Sequence, residues 1–83
     1  MITGAQIRAA RALLNWTAAK TAKAAGMTRQ TLVKFESFES IPPSRTQSLI
    51  DLKAVFEAAG IEFVGTSVEG PGVRLWSRGK THS

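Results

Sequence analysis

Arg29, Gln30, Thr31 and Lys34 fall within one short stretch, Thr28-Arg-Gln-Thr-Leu-Val-Lys-Phe-Glu36. If that stretch is helical, Leu32 and Phe35 turn to the core and Val33 is at least partly covered. Thr28 and the four polar residues are then left outside. The chemistry they offer is hydrogen bonding and charge. An arginine can bond O6 and N7 of a guanine together, and a glutamine can pair with N6 and N7 of an adenine. Thr28 and Thr31 suit a phosphate oxygen or a thymine methyl. Bond-making chemistry lacks its parts. The chain has no cysteine, its one histidine is His82 beside the C-terminus, and no acid precedes Glu36. From such a set neither a general acid–base pair nor a metal site can be assembled, so no enzyme activity and no cofactor is expected.

The elements that must position these residues are legible on either side of Gly26. Thr17 can cap a helix by accepting a hydrogen bond from an orphan N–H of its first turn. The run Ala18 to Ala25 is almost all good helix former. Gly26 supplies the positive φ of a tight helix end, and Thr28 offers a second cap from which Arg29 to Glu36 restart. Ala19 and Ala22 are small where the two helices must cross. Helix, short turn with glycine, helix is the spacing of a helix-turn-helix, whose second helix presents its first turn to base edges in the major groove.

This stretch resembles the helix-turn-helix of the Xre/Cro/phage-repressor family. The residues that carry the resemblance are Trp16-Thr17, Ala22, Gly26-Met27-Thr28, Leu32 and Glu36, and it extends over roughly residues 3 to 60. It implies a mainly α domain of four to five helices and double-stranded DNA as partner. It agrees with Arg29, Gln30 and Lys34 as base contacts, joined by Thr31. Phosphate contacts are expected from Thr17, Lys20, Lys23, Thr28, Ser40 and Arg45. Two positions depart from the family pattern. Ala18 stands where a glutamine usually grips a phosphate, and Thr21 stands where a large aliphatic residue usually thickens the core.

Charge is distributed to match. Residues 1 to 35 carry Arg8, Arg11, Lys20, Lys23, Arg29 and Lys34 and no acid, a charge of +6. Residues 36 to 83 carry Arg45, Lys53, Arg74, Arg78 and Lys80 against Glu36, Glu39, Asp51, Glu57, Glu62 and Glu69, a charge of −1. The net +5 therefore lies with the helix-turn-helix, as expected of a polyanion binder.

The remaining segments support that unit. Thr3 caps a first helix with Ile7, Ala10 and Leu14 on one face, and Asn15 ends it in left-handed geometry. Trp16 is a hinge-packing residue. After Glu36 a loop brings Phe38 and Ile41 over the core and ends at Pro42-Pro43. Ser44 and Gln47 form a capping box for a helix to Ala59 with Leu49, Leu52 and Phe56 inward, stopped by Gly60. Ile61 to Val64 and Val73 to Trp76 alternate as strands, with a turn-rich segment between them. An isolated hairpin is marginal in water, so it must either lie on the fourth helix or pair with a second chain. The chain thus divides into a DNA-binding domain (1–60), a hairpin extension for dimerisation (61–76) and a disordered basic tail (77–83). Ile50, Val55, Ile61, Phe63, Val64, Val73, Leu75 and Trp76 are the expected dimer interface.

No apolar run reaches the ~20 residues of a membrane span, and no signal peptide opens the chain, so a cytoplasmic protein is expected. The pattern points to a transcriptional regulator, a repressor or autoregulator, acting as a homodimer on an inverted-repeat operator. Eighty-three residues leave no room for a separate effector domain. Two alternatives stay open: an antitoxin-like module whose hairpin binds another polypeptide, and an architectural or excision factor of a mobile element. Whether the strands pair within one chain or between two is also open.

Overall fold

A computed structural model describes residues 2–38, 41, 46–66 and 68–76. Among the described residues four helices are followed by one hairpin: α1 (Gly4–Leu14), α2 (Ala18–Ala25), α3 (Arg29–Glu36), α4 (Thr46–Ala58), β1 (Ile61–Val64) and β2 (Gly72–Leu75). The strands pair antiparallel within the chain, Ile61 opposite Leu75 and Val64 opposite Gly72. Strand β2 starts and ends one residue earlier than the alternation predicts, although the Trp76 N–H still donates to the Gly60 carbonyl at 2.9 Å. Helix α4 stops at Ala58, where the Ala59 and Gly60 N–H groups turn back three residues to Phe56 and Glu57.

The two connections flanking α2 are built alike. Asn15 (φ 58°) and Gly26 (φ 73°) close their helices in left-handed conformation. The N–H of each following residue, Trp16 or Met27, then bonds a carbonyl five residues back, Arg11 or Ala22. This is the paired closure of a Schellman end, and in both cases the following residue packs on the core. Thr17 and Thr28 come next, each accepting from the N–H three residues on, Lys20 at 3.0 Å and Thr31 at 3.2 Å. One three-residue device, left-handed stop, apolar anchor and threonine cap, is thus used twice. It sets both turns without a long loop.

One core holds the helices and the hairpin together. Ile7, Ala10, Ala22, Leu32, Phe35, Leu49, Leu52, Phe56 and Ile61 are buried, with Ile2 sealing the end. Trp16 stacks on Phe56 at 6.0 Å between ring centroids, and Phe56 meets Phe63 at 6.1 Å. Thr21 is fully buried where an aliphatic residue was the norm, and its hydroxyl donates to the Thr17 carbonyl at 2.9 Å. The core is thinner there but leaves no unpaired hydroxyl, which would otherwise cost about 1–3 kcal/mol. Ala22 lies in the crossing as expected, whereas Ala19 is exposed.

The hairpin is tied to α1 by a residue that the sequence reading passed over. Gln6 completes a capping box with Thr3: its backbone N–H donates to the threonine hydroxyl, and its Oε1 accepts from the Thr3 N–H at 2.9 Å. Its Nε2 donates to the carbonyls of Val64 (3.2 Å) and Gly72 (2.9 Å), the last pair before the turn. Both strands are therefore fastened to the first turn of α1. Gly4 allows a second close approach, since a Cβ there would overlap the carbonyl oxygens of Phe35 and Phe38.

Candidate nucleic-acid interface

Helix α3 is amphipathic in the manner a groove-binding helix requires. Leu32, Phe35 and Glu36 are buried, Thr31 is half-buried, and Arg29, Gln30, Val33 and Lys34 are exposed. Val33 is partly covered, as expected, but 43% of it stays exposed. Its spacing explains this, for it follows Arg29 by four residues and Gln30 by three, so it shares their side of the helix. Thr28 has its hydroxyl engaged on both sides, accepting from the Thr31 N–H and donating to Thr31 Oγ1 at 2.9 Å. Capping is thus its structural work. Thr31 keeps the proton of its own hydroxyl for another acceptor.

What holds α3 at a defined angle is a buried carboxylate at its last turn. Glu36 accepts from Arg11 Nε at 2.6 Å and Nη2 at 3.1 Å, a two-pronged pairing, while Arg11 Nη1 reaches the Trp16 carbonyl at 3.0 Å. Arg8 donates to the backbone carbonyl of Glu36. Two cations therefore sit at the negative end of the α3 dipole, which favours them there. This redistributes the charge counted from the sequence. Arg8 and Arg11 are engaged in fixing α3, so the exposed cations of the basic half are Lys20, Lys23, Arg29 and Lys34. Glu36 resembled the family by position alone, and the structure supplies the physical reason for it.

Helix α2 lies beside α3 and contributes Thr17, Lys20 and Lys23, all exposed. Lys20 Nζ stands 5.1 Å from the centroid of the Trp16 ring, a cation–π contact that orders an otherwise mobile ammonium next to the cap of α2. Ser40 and Arg45, the other two expected phosphate contacts, lie outside the described residues, as does Ser44 of the capping box. Its expected partner Gln47 donates through Nε2 to Asp51 at 2.7 Å. Phe38 is half-buried, whereas Ile41 is exposed. Among the described residues no group of three or more His, Cys, Asp or Glu could hold a metal ion, and no helix is long and apolar enough to cross a membrane.

The residues expected at a dimer interface separate into three sets. Ile61 is 3% exposed in the chain's own core, and Phe63 and Val73 pack against that core. Val55 and Val64 are half-buried. Ile50, Leu75 and Trp76 stand exposed. Trp76 Nε1 and Arg74 both bond Glu62, which ties the open end of the hairpin together on its outer side.

A two-helix unit with a glycine-centred turn, and a polar outward face on its second helix, defines a DNA-binding helix-turn-helix. Residues 7–46 match the helix-turn-helix family model, in agreement with the Xre/Cro-like resemblance of the same stretch. Among curated proteins no sequence matches the chain.

Proposed function

We propose that this protein is a sequence-specific transcriptional regulator, a repressor or autoregulator, that binds an inverted-repeat operator in double-stranded DNA as a homodimer. It is a binding protein and not an enzyme. The observation that carries the reading is the outward face of α3: Arg29, Gln30 and Lys34 exposed together on a helix whose last turn is locked by Arg11 and Glu36. Arg29 and Gln30, in the first turn, read base edges; Lys34 and Thr31 contact the next step along the groove. Thr17, Lys20 and Lys23, with Ser40 and Arg45 from the segment after α3, contact phosphates, while the Thr28 hydroxyl, expected among them, is taken up by Thr31. The second copy packs on the surface left by Ile50, Leu75 and Trp76, with Val55 and Val64 at its margin.

The antitoxin-like alternative required a hairpin left unpaired until a partner protein arrives. Intrachain pairing of β1 with β2, and the Gln6 clamp on both strands, weigh against it.

The test is selection from a random duplex library followed by titration at several salt concentrations. The expected product is an inverted repeat with half-site centres about 10–10.5 bp apart, which is one helical turn. Its affinity should fall with log[salt] at a slope of about −0.9 per phosphate neutralised. Enrichment of no sequence, under salt where nonspecific binding is weak, would overturn the reading. A single unrepeated site would overturn the dimer.

A further inference from the structure

Val33 is an apolar residue in the middle of a face otherwise made of hydrogen-bond donors. It lies four residues after Arg29 and three after Gln30, so on a helix its side chain neighbours both of theirs. At 43% exposed, much of its isopropyl group remains in water, and the core side of α3 is already filled by Leu32, Phe35 and Glu36. Its β-branch also lowers helix propensity. Folding therefore gives little reason for a valine here, whereas a groove-facing position gives a specific one.

The major groove offers one apolar group for recognition, the 5-methyl of thymine. We propose that Val33 is a specificity-determining residue: its methyl groups pack on a thymine 5-methyl beside the bases contacted by Arg29 and Gln30. Arg29 and Gln30 select by hydrogen bonding, and Val33 adds a contact that any base without a methyl fails to make. A lone exposed valine elsewhere on the surface would carry no such meaning. The inference rests on the DNA-binding reading above.

Replacing a single thymine by deoxyuridine removes one methyl and leaves every hydrogen-bonding group in place. A duplex enriched by the wild-type protein is therefore resynthesised with each thymine changed in turn and titrated with wild type, Val33→Ala and Val33→Thr. At one thymine per half-site, uracil should weaken wild-type binding about fourfold, the worth of one methyl withdrawn from water. The same change should leave Val33→Ala unaffected. Val33→Thr, which keeps the branched shape with one methyl, should show a reduced but measurable penalty. Circular dichroism should show native helix content for both variants. An equal uracil penalty in wild type and Val33→Ala at every position, or no penalty anywhere, overturns the assignment of Val33 while leaving the operator intact. Failure to enrich any duplex overturns the DNA-binding reading, and this inference with it.

Discussion

Individual side chains in this protein divide between those that aim α3 and those that α3 presents. Arg29→Ala and Gln30→Ala remove exposed groups. Each should cost about 1–3 kcal/mol in operator affinity and relax selection at one base pair. The unfolding free energy should change by less than about 0.5 kcal/mol. Titration against the selected site, alongside chemical denaturation, separates the two effects. Arg11→Ala should behave in the opposite manner. It leaves the buried Glu36 carboxylate without its two-pronged partner and should lower stability by about 2 kcal/mol, the scale of charged hydrogen bonds. If Arg11→Ala weakened DNA binding with stability unchanged, Arg11 would be a DNA contact and the lock on α3 would be wrong. Lys20 and Lys23 belong to neither group. Their removal should weaken all sequences alike and flatten the salt slope by about 0.9 each if both meet phosphates.

Elements here are joined by short devices whose strength can be predicted one at a time. Gly26 adopts φ 73° with open space around it, so Gly26→Ala meets no clash. It should still destabilise by about 1 kcal/mol because a Cβ strains the left-handed conformation. Gly26→Asn should cost less, since Asn15 performs the same closure at the end of α1. Thermal unfolding of the two variants gives the order, and a larger loss for Asn than for Ala would contradict the account. Gln6→Ala removes half of a capping box and both ties to the hairpin. The expected loss is about 2–3 kcal/mol. It should be visible in hydrogen exchange as lost protection of β1 and β2 while α2 and α3 keep theirs. Uniform loss across all elements would mean that the hairpin and helices unfold as one unit.

For the whole molecule the question is which apolar surface completes the fold and which is left for a partner. Phe63 packs against Phe56 and the core, so Phe63→Ala should destabilise the monomer by about 3 kcal/mol. Ile50 is 47% exposed on the outer side of α4. Ile50→Lys should leave the fold intact and shift sedimentation from dimer to monomer at micromolar concentration. It should also lower operator affinity, because the two half-sites would no longer be bound by a preformed pair. A dimer that persists in Ile50→Lys would move the interface elsewhere.

Local rules place the helix-turn-helix: three threonine caps, a left-handed asparagine and a left-handed glycine act within a few residues of chain. The same rules exposed Arg29, Gln30 and Lys34, because Leu32 and Phe35 leave only one direction for the opposite side of a helix. Helix periodicity also put Leu49, Leu52 and Phe56 in the core. Contacts distant in sequence were beyond that reach. Gln6 is an unremarkable polar residue until Val64 and Gly72 arrive from nearly sixty residues or more away. Arg8 and Arg11 count as free cations until Glu36 folds back on them. Val33 is an ordinary helix hydrophobe until Leu32 and Phe35 have filled the inner side. The sequence by itself determined the caps, the turns and the polar face, because those depend on neighbours along the chain. Only the tertiary structure decided which charges lock α3, which strand residues complete the core and which apolar residues remain outside. Those outcomes depend on competition for one small interior, and adjacent residues do not encode it.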